Sequence, residues 1–360
     1  MALKTFERYL AREIYAASAL VLVAFLMLFA FFDLIGEIQN LGRGGYQLYH
    51  AALYVLLTLP GRTYELMPIA VLIGTLYALT LLGRHSELTV LRTSGLSTSG
   101  LLRTLAKLGA LFVAFTFLMG EYVAPPAERE AQQLRLRAMS SMVAQGDLRS
   151  GLWVKDARSF INVRNVDPEA RMQDLRVYEF DEQYRLRSIT QATHGEYVGP
   201  ESWRLAGVVR TLFDEEHARV ERLAEMDWKA SLTPDLLSVM LVMPEKMSLV
   251  NLYLYVSHLA ENSQKTDRYE IAIWKKLVYP FSILVMMALA LPFGYLQTHV
   301  GTASIKVFTG IMLGIGFHML NGLFSSLGVI NSWKPFWSAI TPSVIFLLAA
   351  ASLLWWVERR

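Results

Sequence analysis

Three groups of residues in this 360-residue sequence are of a type and spacing that could do chemistry. The first is a polar stretch, GRHSELTVLRTSG at 83–95, set between two apolar runs. Arg84, Glu87 and Arg92 are available there for ion pairs, and Leu88, Val90 and Leu91 for burial. The stretch reads as a short helix from Ser86, stopped by Gly95. Two membrane spans need only a tight turn to reverse, so a helix here is either a docking element for a cytoplasmic partner or a plain amphipathic loop. The second group is basic: Arg129, Arg135 and Arg137 after one apolar run, and Arg268, Lys275 and Lys276 before another. Arginine forks suit phosphate oxygens, and cations at this depth sit level with lipid headgroups. Interfacial anchoring, balanced by Glu128 and Glu130, is the other reading. The third group lies at or within apolar runs: Asp33, Glu121 and His318. An ionisable residue inside a membrane is a functional candidate, although solvated helix ends or a hydrogen bond to a neighbouring helix account for these three equally. Arg62 and Glu65, three apart on one helix face, are placed to pair.

Other chemistries are missing from the sequence. There is no G-x-x-x-x-G-K-[ST], so the chain does not itself cradle nucleotide phosphates. It has no H-E-x-x-H and no G-x-S-x-G, and its seven histidines show no metal-ligand spacing. With no cysteine, there is no disulfide, thiol nucleophile or thiolate metal site. A net charge of +3 argues against broad nucleic-acid binding. No cofactor and no catalytic residue are implied.

The elements that hold these groups are of two kinds. Residues 125–265 carry 39 of the 65 charged residues, so a polar middle separates two apolar ends. A bilayer core of about 30 Å needs about 20 apolar helical residues. Spans are expected near 14–32, 61–83, 102–124, 274–296, 303–325 and 336–357. The 44–83 run is twice the length one span needs, so a break is expected at Pro60-Gly61, with 46–59 as an interfacial helix. Span three should stop at Pro125-Pro126. Ten Lys/Arg in short segments on one side (among them Lys4, Arg8, Arg12, Arg84, Arg103, Lys107 and Lys306) face only Arg43 and Lys334 on the other. Both termini are then cytoplasmic and the polar middle lies outside. Short alternating runs at 152–156, 159–164, 174–180, 202–207 and 218–228, separated by turn signals, suggest a sandwich or jelly roll. The expected fold is an α-helical membrane protein of six transmembrane helices with an all-β domain between spans three and four. Its parts are 1–124, 125–268 and 269–360.

At the motif level the sequence resembles the LptF/LptG permease family of the lipopolysaccharide ABC exporter, on its LptG side. The matching residues are RYL (8–10), LPGRTYELMPIAVLIG (59–74), GRHSELTVLRTSG (83–95), GEYVAPPAE (120–128), GLWVKD (151–156), LTPDLL (232–237) and RYEIAIWKKLVYPFSILVMMALALPFG (268–294). The resemblance implies a non-ATPase permease subunit of a Gram-negative inner membrane, with a periplasmic β-jellyroll. Its implied partners are an LptF-type permease, two copies of the ATPase LptB, LptC, and LptA reached through the jellyroll, with lipopolysaccharide as cargo. It implies that 84–95 is the coupling helix, with Glu87 as its acidic docking position, and that Arg135 is a basic lipid-contacting position. Arg137, Lys275 and Lys276 join Arg135 by location. At the outer end of span one, where the family carries lysines, this chain has Asp33, Glu37, Gln39 and Asn40, leaving Arg43 as the basic side chain. Such a permease needs an apolar cavity for lipid tails. Phe25, Leu26, Phe29 and Phe32 of span one, and Ile311, Gly314, Ile315 and His318 of span five, are its candidate walls, and Gly310, Gly314 and Gly316 permit close packing. The sister subunit LptF, a membrane-embedded lipid-modifying enzyme and a non-transporting tether are the competing readings.

Overall fold

A computed structural model of the chain describes residues 5–139, 151–166, 171–199, 202–214, 217–230, 232–234, 237, 243–262, 264–295 and 303–359. Lys4, Arg360 and part of LTPDLL lie outside the described residues, as do the side chains of Arg92 and Lys306. Helix α1 spans Thr5–Ile38, α2 Leu48–Arg84, α3 Glu87–Thr93 and α4 Thr98–Leu118. A π-helical turn at Met119–Val123 leads into α5, Ala124–Met139. After the β domain come α6 Leu249–Glu261, α7 Asp267–Val278, α8 Ser282–Tyr295, α9 Ala303–Ile330 and α10 Pro335–Glu358. Six of the resulting rods are long and apolar enough to cross a membrane: α1, α2, α4 with α5, α7 with α8, α9 and α10.

Two expected breaks do not occur. Pro60 lies inside a continuous 37-residue α2, about 55 Å long at 1.5 Å per residue. A proline removes one helical donor, but α2 has packing partners on both the N-terminal and the C-terminal side of Pro60. Its outer part meets α5, where the Gln132 amide donates to Tyr54 Oη at 3.5 Å, and its inner part, Leu66–Leu82, is the most buried helix segment of the molecule. Of the expected interfacial helix at 46–59, residues 48–59 are instead the first turns of the same helix as span two. Nor do Pro125-Pro126 end span three. The π turn just before them shifts the hydrogen-bond register, with the Ala124 amide reaching back to Met119 O. The carbonyls the prolines leave without donors thus fall where the ladder is already rearranged.

The membrane core forms around α2. Leu10 and Ile14 of α1, Leu88 of α3, Leu101, Leu105 and Leu108 of α4, Ile283–Leu291 of α8, Phe317 of α9 and Phe346 of α10 join it in one cluster. Close approach of α1 depends on Gly74, where a Cβ would stand 2.3 Å from Ser18 Oγ and 2.5 Å from Ser18 N. Gly314 packs on Ile69 in the same way and Gly310 on Ile73 and Leu76, but Gly316 has nothing within 4 Å and is not a packing contact.

The β domain is a single antiparallel sheet in the order β1 (Leu152–Asp156), β2 (Ser159–Val166), β3 (Met172–Phe180), β4 (Leu186–Gly199), β5 (Ser202–Phe213), β6 (Ala218–Lys229). The described strands are connected as a meander. The sequence reading missed β4 because its inward positions, Ser188, Thr190 and Ala192, are small or hydroxylic yet buried, so no apolar alternation marks the strand. The inner face carries Val154, Ile161, Val163, Leu175, Val177, Trp203 and Leu205. Leu232 and Leu237 pack against that face, and the Trp203 indole N–H donates to Leu232 O at 2.7 Å. Helix α6 is a strut between sheet and membrane helices. Near its outer end Asn262 accepts the Ala157 amide at 2.6 Å, and Lys155 Nζ donates to Asn262 O at 3.0 Å.

Candidate functional site

At one end of the bundle, α2 ends at the exposed Arg84. Ser86 takes a left-handed φ of 61° and turns the chain into α3. Gly95, at φ 95°, ends the loop as expected. Leu88 is 4% exposed and joins the membrane core, so it fixes α3 to the bundle. Leu91 is half-buried, whereas Val90 is 60% exposed and does not bury. Glu87 is half-buried: its Oε1 is 3.5 Å from the Tyr9 hydroxyl, which donates to it, and 3.9 Å from His85 Nδ1. A groove of about 240 Å3 opens here, lined by Phe6, Tyr9, Leu10, Leu82, Val90 and Leu91 with Glu87 and His85 beside them. It is an apolar seat with one carboxylate, held by α1 and the end of α2. Lys107 pairs with the buried Glu7 at 3.1 Å.

At the other end of the bundle, the acidic end of span one is paired rather than solvated. Asp33 accepts a forked bond from Arg62, at 2.8 and 3.0 Å, and Arg62 also reaches Glu65 at 3.2 Å, the pair expected from their spacing. The Arg62 guanidinium lies over the Phe29 ring at 5.5 Å. Glu37, 7% exposed, accepts from Tyr46 Oη at 2.9 Å and Asn40 Nδ2 at 3.2 Å and stands 3.8 Å from Arg135. Burial, with the Glu37 hydrogen bond behind it, pushes the Tyr46 phenol up. Arg135 also lies over the Tyr54 ring at 5.6 Å. Arg43 is exposed and bonds Asn40 Oδ1 at 3.3 Å, and the exposed Arg137 bonds Gln133 Oε1 at 3.4 Å.

Lys276 corrects an expectation. Rather than facing lipid, it is 7% exposed, donates to Met247 O and stands 3.6 Å from Glu121. Both Glu121 oxygens also lie 3.0 Å from the Leu249 amide, at the start of α6. Beside them Lys246 reaches the buried Glu128 at 2.7 Å. Together these residues fasten the α6 strut to α4, α5 and α7. Lys276, Lys246 and Glu128 line a cavity of about 70 Å3 that Asp33, Arg62 and Glu65 share. Lys275, one residue earlier, is half-buried.

The candidate tail-binding walls are apolar and open. Phe25 and Phe29 are half-buried, Phe32 is 57% exposed, and none of the most apolar stretch of α1 is buried. On α9, Ile311 is half-buried and Ile315 is 43% exposed. His318 is exposed rather than hydrogen-bonded between helices.

Residues 8–356 match the family described as lipopolysaccharide export system permease LptF/LptG. The chain belongs to the LptF/LptG family. It is 30% identical to the lipopolysaccharide export system permease protein LptG of Haemophilus influenzae, over 99% of both chains. It is also 30% identical to LptG of Escherichia coli K12, over 98% of both. These relatives place it on the LptG side of the LptF/LptG family, as the motifs suggested.

Within this LptF/LptG chain, the structure brings Arg84, Glu87, Leu88 and Leu91 together around the start of α3 and sets Arg43, Arg135, Arg137 and Lys275 toward the opposite end of the bundle. Sequence reasoning missed the fastening role of Glu121, Glu128 and Lys246. Lys246 lies 118 residues from Glu128, so no local spacing announces the pair. The one available signal was a lysine and a glutamate inside otherwise apolar segments flanking the polar middle.

Proposed function

We propose that this chain is the LptG-type permease subunit of a lipopolysaccharide exporter, a multi-pass inner-membrane protein with cytoplasmic termini and a periplasmic β domain. It takes lipid from the membrane and passes it toward a periplasmic bridge. The observation that supports this most is the family match from residue 8 to residue 356, which takes in span, loop and sheet alike. The physical problem is large. Each CH2 moved from hydrocarbon to water costs about 0.8 kcal/mol, so a lipid with several acyl chains does not leave unaided. An apolar passage and an external energy source are both required.

In this reading the open faces of α1 and α9, with Phe25, Phe29, Phe32, Ile311 and Ile315, form one half of the tail-binding cavity, and an LptF-type permease forms the other. Arg43, Arg135, Arg137 and Lys275 meet the lipid phosphates. Lys276 drops out of that set because it is already engaged. Two copies of LptB supply ATP hydrolysis, one seated on α3, so this subunit is not itself an enzyme. LptC associates with the complex, and LptA joins an edge of the sheet, where unpaired backbone groups accept a further strand. The parts of the chain are then 1–124, 125–268 and 269–360. ATPase closure pushes α3. Leu88 carries that push into the bundle, since it is packed in the core while Glu87 and Leu91 remain at the surface. The test is Glu87→Arg. Co-purification with the ATPase should fall at least tenfold, while assembly with the second permease persists. Unchanged co-purification and unchanged lipid-stimulated ATP hydrolysis would contradict the assignment.

A further inference from the structure

We propose that the outer face of the β-sheet, opposite its core, binds an anionic saccharide, the headgroup of the exported lipid, in a groove built on Trp153, Arg176 and Gln191. The cross-strand register builds the groove. Trp153 pairs with Asn162, Asn162 with Arg176, Arg176 with Gln191, and Gln191 with Val209, so one row of side chains crosses five strands. Four members of that row are planar and polar at their working ends: an indole, an amide, a guanidinium and a second amide. The groove encloses about 470 Å3, which is within the size range of small-molecule sites.

One wall is aromatic. Trp153, 50% exposed, stacks on Tyr178 at 5.8 Å and 22°, reaching across β2. The floor is kept open at Gly207, whose φ is 64°. A Cβ there would stand 2.4 Å from Thr193 Oγ1, whose hydroxyl donates to Ala206 O at 2.9 Å. Arg164 closes the other side, 3.9 Å from Asp174. The charged lining residues are Arg164, Arg176 and Asp174, a net positive set.

This combination selects among occupants. A lipid tail would desolvate Asn162, Arg176 and Gln191 without replacing their hydrogen bonds, which is unfavourable. A sugar ring offers an apolar face to an indole and vicinal hydroxyls to amides. Phosphate or carboxylate groups on it match the arginine forks. The assignment rests on the export reading, because the exported lipid is what brings an anionic saccharide to this side of the membrane. It places the saccharide on the opposite face of the sheet from Trp203 and Leu205.

The experiment uses the full chain in nanodiscs and three probes: deacylated phosphorylated core oligosaccharide, the same oligosaccharide after phosphatase treatment, and a peptidoglycan disaccharide. Affinity is read by calorimetry, and Trp153 contact by saturation-transfer NMR. The phosphorylated oligosaccharide should bind, and Trp153→Ala and Arg176→Ala should each weaken it at least tenfold. Dephosphorylation should weaken binding to the parent but add nothing to Arg176→Ala. Gln191→Ala, a truncation at an exposed position, should lose affinity with an unchanged melting temperature, and it keeps the test valid if Trp153→Ala misfolds. Binding by all three variants at the parent's affinity would overturn the proposal. So would no binding to the parent, or equal binding of the peptidoglycan fragment. ATP-driven lipid release by the assembled complex is measured in parallel. Normal release with no oligosaccharide affinity refutes the groove alone, whereas groove affinity without any release refutes the export reading alone.

Discussion

Lys276→Met tests whether the α6 strut is held to the membrane helices by charge. Lys276 and Glu121 stand 3.6 Å apart with side chains 8% and 11% exposed. At an effective dielectric near 20, that separation corresponds to an attraction of about 4–5 kcal/mol. Removing one partner of a buried pair leaves the other charge uncompensated and typically costs about 3–5 kcal/mol. The two figures agree. The carboxylate left behind would keep the Leu249 amide as its partner. Adding Glu121→Gln removes the stranded charge, so the double variant should recover about 2 kcal/mol or more of the loss. The assay is hydrogen–deuterium exchange of the α6 amides in nanodiscs, run as a double-mutant cycle with Glu121→Gln alone. Since about 1.4 kcal/mol is tenfold, α6 amides in Lys276→Met should exchange at least about a hundredfold faster than in the parent. Exchange within threefold of the parent, or a double variant no slower than the single one, would refute the electrostatic account.

Further outcomes follow from the packing and the β domain. Gly74→Ala drives a methyl against the Ser18 backbone and should destabilise the bundle by about 1–3 kcal/mol. Gly316→Ala, with nothing within 4 Å, should leave the melting temperature unchanged or raise it. In the β3–β4 turn, the Arg185 amide, followed by the Arg185 side chain and the Gln183 amide, holds the Asp181 carboxyl below the usual carboxylate value. A depressed folded pKa means that the turn gains from this group above the unfolded value of about 4 and loses it as pH falls through the lower folded value. NMR of the Gln183 and Arg185 amides should show that acid transition in the parent and not in Asp181→Asn; an identical profile in both would contradict it.

What the sequence disclosed follows from what each element needs. Six spans were legible because burial in lipid demands long uncharged runs, and the loop at 83–95 was legible because charge interrupts such runs. Strands with apolar inward positions, such as Leu175 and Val177 on β3, showed their period. β4 did not, because Ser188 and Thr190 face the core. Pro60 and Pro125-Pro126 misled because local helix rules give way where a helix is packed before and after the proline and where a π turn shifts the register. Glu87 was identified from its loop and lies at the start of α3, where it accepts from Tyr9. Lys276 was read as lipid-facing because linear position beside Lys275 carries no information about which side of a helix meets Glu121.

As proposed, this subunit provides an apolar, cation-rimmed path whose energy comes from a separate ATPase bound at α3. Release of fluorescent lipopolysaccharide from proteoliposomes containing this chain, a second permease and the ATPase tests it most directly. The account predicts release that needs ATP, stops when the ATPase is omitted, and falls at least tenfold with Glu87→Arg. Release at the full rate without the ATPase, or nucleotide hydrolysis by this chain alone, would contradict it.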